Sequence, residues 1–371
     1  MTATPTATAE LDAPLPSVAP STRSRIWPAI LILYFASPIL AEMISGSTPP
    51  LAWFNPFNLI VQPALYGSGA LLAREVARRR GLGWANLLIL GAAYSILEEG
   101  LAVQTWFNFT PRAPSANPTH YGVVFGTNWD WVAELAAYHS IISIAIPIMA
   151  VELIYPCLAD QPWLRRRGII GFSIVLALVT IVLAVLTGFV IYRRDGYAHP
   201  PAGPYLLAVA LMVALFWLGS RVRIPPPSPS PRRAPRLWTV RLTVLAATLV
   251  FFAVSFIVPK IIPIAAITLV IMEGVVALGL WRVRSWSARE GWSARHRLAI
   301  AMGVVAFFGL IFAPLQEFAG LTGHAGKAGL TLAGVLVLLG LFALDWRLRR
   351  RAAAAVPPSA PALMESGDRA G

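Results

Sequence analysis

The stretch Trp84–Thr105, WANLLILGAAYSILEEGLAVQT, decides how the rest of the chain is read. Up to Leu97 it is almost wholly apolar, and about 20 such residues form a helix long enough to cross the roughly 30 Å hydrocarbon core of a bilayer. Glu98 and Glu99 stand side by side within it. An ionisable side chain near mid-bilayer costs roughly 2.5–3.5 kcal/mol on insertion scales, so such groups face a partner, a cavity or a pathway. The stretch places the protein in a membrane and points to the glutamate pair as the place to seek its function.

The whole chain supports the membrane reading. Of its residues 57% are apolar and 13% charged, and mean hydropathy is +0.66, whereas soluble domains carry about 25% charged residues. Spanning helices are expected at about Ile26 to Ile44, Phe57 to Ala77, Trp84 to Thr105, Trp129 to Pro156, Ile169 to Tyr192, Pro201 to Gly219, Leu237 to Val258, Ile262 to Leu280, Leu298 to Leu315 and Leu330 to Leu344. The expected fold is an all-α polytopic bundle of about ten transmembrane helices. No run has the dyad alternation of a membrane barrel.

A net charge of +13 would suit a nucleic-acid protein, but the arginines gather in alternate connections: Arg23 and Arg25, Arg78 to Arg80, Arg165 to Arg167, Arg221 through Arg236, Arg282 through Arg297, and Arg347 to Arg351. The connections between hold few basic residues, among them Arg112, Arg193 with Arg194, Lys260 and Lys327. The positive-inside rule then puts both termini in the cytoplasm of a plasma-membrane protein, with lipid headgroups rather than nucleic acid as partners of the basic side. The lone Cys157 excludes an intrachain disulfide and reads as a packing residue.

The chain divides into a disordered cytoplasmic tail (1–25), a first bundle (26–222), a Pro/Arg-rich linker (223–236, including RIPPPSPSPRRAP), a second helix group (237–346) and a basic disordered tail (347–371). The connection from Asn108 to Asn128 carries Phe109, His120, Tyr121 and Phe125, read either as headgroup anchors or as a lid; Asn108-Phe109-Thr110 fits a glycosylation sequon.

Ionisable residues concentrate in the first four helices: Glu42, Arg74, Glu75, Glu98, Glu99, Glu134, His139 and Glu152, against chiefly Glu273 later. At 1.5 Å per residue, Glu98 lies roughly 21 Å and Glu42 roughly 24 Å above the arginine-rich end, while His139 lies roughly 15 Å below the other, so the three share a depth. Neighbours on a helix differ by about 100°, so Glu98 and Glu99 cannot both point at one atom, and one is expected to bond an adjacent helix. Ser143 shares a face with His139 and can orient its ring, and Ser95 lies one turn before Glu99. Glu134 is shallower. Glu152 is placed to meet Arg74, and Arg74 with Glu75 reads as an interfacial ion pair. Gly67, Ser68 and Gly69 read as close-packing positions.

Glu98, Glu99 and His139 are the candidate catalytic residues, with Glu42, Glu134 and Ser143 in support. Such a set can activate water beside a polarised carbonyl in a membrane-embedded peptide or lipid-linked substrate. It can also relay protons in a transporter, where Glu99-Gly100 and Glu273-Gly274 would correspond in a five-plus-five inverted repeat, or simply hold helices together in a scaffold. No organic cofactor motif is present, and a divalent metal is left open because no HExxH spacing occurs.

Glu98-Glu99 followed by His139 on the next helix resembles the first two motifs of the CPBP family of intramembrane glutamic proteases, EExxxR and FxxxH. The resemblance spans Trp84 to Pro156 and implies Glu98 as water-activating base, Glu99 as its support and His139 as assistant at the carbonyl. Val103 stands at the family's arginine position and Leu135 at its phenylalanine position, and the third-motif histidine has no counterpart among His199, His296 and His324.

Overall fold

The computed structural model describes residues 26–108, 120–191, 202–320 and 326–354. The first 25 residues, residues 355–371, Phe109 and Thr110 of the sequon, Arg112, Arg193, Arg194, His199 and His324 lie outside them. The first long helix is α1 (Ile26–Met43). Next, α2 runs end to end through Pro56–Gln62, Pro63–Gly67 and Ser68–Arg79. There follow α3 (Trp84–Ala102), α4 (Trp129–Ile154), α5 (Arg166–Ile191), α6 (Ala202–Arg221), α7 (Leu237–Ile261), α8 (Ala265–Ser287), α9 (Ala294–Glu317) and α10 (Leu330–Ala354). Nine of these described helices are long and apolar enough to cross a membrane; α2 carries Arg74, Glu75, Arg78 and Arg79 in its last turns.

Helix starts follow local chemistry. The Asn55 side chain caps α2 by accepting the Phe57 amide at 2.9 Å ahead of Pro56, and Asn128 caps α4 by accepting the Trp131 amide. Several helices outrun their expected ends into arginines. α5 starts at Arg166, α8 reaches Ser287 and α10 continues to Ala354, beyond the boundary drawn at residue 346. The apolar stems of arginines can lie along a helix while their heads find partners, which a hydropathy pattern does not report. The Pro-rich connection is also held: β3 (Ser230–Arg233) pairs in parallel with β4 (Arg289–Glu290). A second small pairing joins β1 (Val123–Val124) to β2 (Thr127–Asn128) just before α4.

Burial sorts the helices into centre and rim. In their apolar windows α3 and α9 are 67% buried and α4 72%, against 11% for α5, α6 and α8. The middle helix, α4, is a wall shared by two cores. Ile144, Ile148 and Val151 pack with Leu33 of α1, Leu71 of α2 and Leu87 of α3. Tyr138, Ile142 and Met149, on its other side, pack with Phe252 of α7, Met302 and Phe308 of α9 and Leu338 of α10. Rings cement that second core, Phe252 stacking on Phe307 at 5.0 Å between centroids. The two helix groups therefore meet across α4.

Lipid is as apolar as leucine, so close packing and polar ties decide which helices touch. A Cβ at Gly91 would lie 2.6 Å from the Ser140 Cα, so α3 and α4 cross backbone to backbone beside His139. Gly67 likewise lies against the Tyr34 carbonyl and Gly69 against the Tyr94 ring. The arginine-rich ends are tied by carboxylates. Glu152 holds Arg74 at 3.0 Å and Arg78 at 2.8 Å, with the Arg74 guanidinium 3.4 Å above the Trp163 ring. Glu75 pairs with Arg79 at 2.7 Å rather than with Arg74, since residues four apart share a face and neighbours do not. Asp345 of α10 gathers Arg241 of α7, Arg295 of α9 and Arg349. Cys157 is exposed, not packed, in the turn after α4.

Gly91→Ala is expected to lower thermal stability in detergent by about 1–3 kcal/mol through overpacking. Gly171→Ala, where an added Cβ meets nothing within 4 Å, should raise it by roughly 0.5–1 kcal/mol through helix propensity. Thermal unfolding followed by size-exclusion chromatography reads both signs.

Candidate functional site

Six of the described helices loosen into π-turns, and those of α1, α2, α3 and α4 each carry a site residue, unlike Leu186–Ile191 in α5 and Phe308–Phe312 in α9. Ile39–Met43 in α1 holds Glu42, Pro63–Gly67 in α2 holds Tyr66, Ile96–Ala102 in α3 holds Glu98 and Glu99, and His139–Ala145 in α4 holds His139 and Ser143. The wider i→i+5 bonds are present where expected, from the Ile44 amide to Ile39 and from the Val103 amide to Glu98. Single π-turns inside helices occur frequently at functional sites. A proline contributes to one of them: Pro147 has no N–H to offer the Ser143 carbonyl one turn back, and that carbonyl accepts the Ser37 hydroxyl of α1 at 2.6 Å instead. The Ser37 oxygen also lies 3.2 Å from the Tyr66 carbonyl, so one buried serine joins α1 to two of the π-turns.

His139 is 1% exposed and stands between the two glutamates. Its Nδ1 bonds Ser143 Oγ at 2.9 Å and lies 3.0 Å from Glu98 Oε2; its Nε2 bonds Glu99 Oε1 at 3.2 Å. The expected split between a site glutamate and one bonded to an adjacent helix is not seen: both face the same ring of α4, one at each nitrogen, and Glu98 reaches Tyr66 of α2 as well. Glu99 also accepts the Thr105 hydroxyl, which takes a hydrogen bond from Trp131 Nε1 at 3.1 Å. Gln104, in the left-handed region at φ 57°, ends the helix and lets Thr105 fold back over Glu99.

Glu42 joins through a residue that the sequence did not mark. The Tyr66 hydroxyl lies 2.6 Å from Glu42 Oε1 and also against Glu98 Oε1. A phenol has one proton, so it can donate to only one of the two carboxyls at a time. Thr48 donates to Glu42 Oε2 at 2.8 Å and receives Gln62 Nε2 at 3.0 Å, extending the line towards the end opposite the arginines. There Lys327 donates to the Gly46 carbonyl; burial pulls its ammonium below the usual lysine range, and the charge of Glu42 opposes that. Tyr66, Tyr94 and Tyr138 enclose the imidazole with centroids 6.0, 6.2 and 5.2 Å away.

Other expected residues lie elsewhere. Glu134 is buried but accepts the Ser255 hydroxyl of α7, so it fastens helices outside the trio. The Ser95 hydroxyl has no partner among the described residues. Glu317 accepts the amides of Gly329 and Thr331 and caps α10. Glu273 is exposed on rim helix α8, so it does not mirror the buried, π-turned Glu99. His296 completes the capping box at the start of α9, at the arginine-rich end. Of the aromatic connection before α4, Tyr121 is buried and bonds the Thr268 hydroxyl at 2.6 Å, whereas Phe125 is 89% exposed.

Residues 31–355 match the profile of a family described as "Uncharacterized membrane protein family". The chain belongs to that family. No curated protein and no solved structure matches it. The match corrects the resemblance to CPBP proteases: a different family accounts for Trp84 to Pro156 together with nearly all the rest. The residues agree, because Val103 closes α3 where an arginine would be needed and the trio contains a single histidine. In this family member, a multi-pass membrane protein, the site has to be read from its own geometry.

Tyr66→Phe removes the donor between two buried carboxyls and should cost about 1–3 kcal/mol of stability. Combined with Glu42→Gln it should show a coupling of at least roughly 0.5 kcal/mol in a double-mutant cycle, because the two groups share one hydrogen-bond line. Additive losses would mean that the line is not formed.

Proposed function

We propose that this chain is a hydrolase of the plasma membrane, with both termini cytoplasmic, in which Glu98, Glu99 and His139 activate water against a carbonyl of a membrane-embedded peptide or lipid-linked substrate. The observation that carries the reading is the imidazole held between two carboxyl groups, Glu98 at 3.0 Å and Glu99 at 3.2 Å, in the buried centre of the bundle. Water attacking the carbonyl carbon forms the new C–O bond and releases a proton to the carboxylate side of the trio. His139 passes a proton to the leaving nitrogen or oxygen as the old bond breaks. The acid and base roles are thus filled within one hydrogen-bonded set, and the Tyr94 hydroxyl, without a partner among the described residues, adds a donor for the developing oxyanion.

The direction of the polar contacts supports hydrolysis over proton-coupled transport. From the trio they run through Glu42, Thr48 and Gln62, and through Glu99, Thr105 and Trp131, to the end away from the arginines. Towards the arginine-rich end the neighbours are buried Leu71, Leu87, Ile148 and Val151, closed by the Arg74–Glu152 pair. A site served from one side suits a reaction better than passage.

The test is isotope incorporation. The full chain in liposomes made from native membrane extract is incubated in H₂¹⁸O, and new ¹⁸O-labelled carboxylates are sought by mass spectrometry. Label is expected with the wild-type chain and a loss of at least about 100-fold with Glu98→Gln, in line with removal of an acid–base group. Equal labelling in both proteins, or pH-driven solute flux with no labelled product, would overturn the assignment.

A further inference from the structure

We infer that Glu98, Glu99 and His139 form a binding site for one divalent transition-metal ion of the zinc class. The inference rests on the hydrolase reading only for what the ion would do, which is to take over the polarising role given there to His139; the site itself stands on geometry. One ligand atom from each of the three residues can be chosen so that all lie within 4.8 Å of one another. Two donors that each sit about 2.1 Å from a shared zinc ion are about 3–3.5 Å apart, and Glu99 Oε1 lies 3.2 Å from His139 Nε2, the ring nitrogen that Ser143 leaves for the ion.

One buried atom points to a cation. Glu98 Oε2 receives no hydrogen bond among the described residues, although Glu98 is 3% exposed. It lies close to His139 Nδ1, but that nitrogen is directed at Ser143. A buried carboxylate oxygen without a donor is costly, and a metal ion satisfies it without needing a second acceptor beyond.

The nearby arginines are engaged elsewhere: Arg74 and Arg78 pair with Glu152 and Arg79 with Glu75. His139 has the two-sided bonding of a ligating histidine: one ring nitrogen meets the ion while the other is fixed by a neighbour such as Ser143. Three protein ligands leave a position open for water, as in catalytic rather than structural zinc sites, and zinc lowers the pKa of such a water to about 7.

The experiment uses the full chain purified without a metal-affinity tag and dialysed against Zn²⁺, with bound metal measured by plasma mass spectrometry. About one zinc per chain is expected, with affinity at least roughly tenfold weaker in Glu99→Gln and His139→Gln. Size-exclusion profiles identify any variant that fails to fold. Titration of the wild-type chain with Co²⁺ alone provides a variant-free check: visible absorption bands saturating at one ion are expected. No bands and no zinc above the detergent blank would overturn the site, as would unchanged zinc affinity in folded Glu99→Gln and His139→Gln proteins. Labelled product that persists in metal-free protein would sink the metal and leave the hydrolase standing; one tightly held ion with no labelled product would do the reverse.

Discussion

Carboxylates kept away from water must be supplied with protons, donors or cations, and the N-terminal half of this bundle is organised around that need. Glu42, Glu98 and Glu99 come from two helices, and their partners Tyr66, Thr105 and His139 come from elsewhere in the same half. The helices depart from α-geometry at the level where these groups meet. The close crossing at Gly91, the Ser37 bonds to two backbone carbonyls and the aromatic enclosure of His139 all serve to hold that level together.

Most of the fold could be read from the chain because a membrane imposes a simple rule: backbone groups must be satisfied within each apolar run. Helix positions followed from hydropathy, and the common depth of Glu42, Glu98 and His139 from the rise per residue. Tyr66 could not be found this way. A tyrosine in an apolar helix reads as packing, and only the position of α1 beside α2 and α3 places its hydroxyl between two carboxyls. The shared ring of Glu98 and Glu99 was equally hidden, since ideal α-helical angles separate neighbours and π-turns leave no mark in composition. The match with CPBP motifs misled for a related reason: two short patterns record residue types without the surroundings that give them a role.

The arginines also close the bundle at its basic end. Arg74 and Arg78 converge on Glu152, and Arg241, Arg295 and Arg349 on Asp345, so the basic end of each helix group is closed by a carboxylate. Removing one partner from the buried Glu152 set leaves an uncompensated charge, which is far more costly than the net worth of the pair, whereas the arginines around Asp345 are partly exposed and screened.

The π-turns give the chain a reading frame in three dimensions. Each holds one residue more than an α-helical path of the same length would need, and one residue is worth about 100° of rotation. Loss of a single residue at Ile96 or Leu97, between Gly91 and the glutamates, would leave α3 intact as a helix and as a membrane span. It would also turn the lower face of α3 out of register with its upper face, so that Gly91 could stay against Ser140 or the glutamates against His139, but not both. The site is thus constrained by length as strictly as by composition.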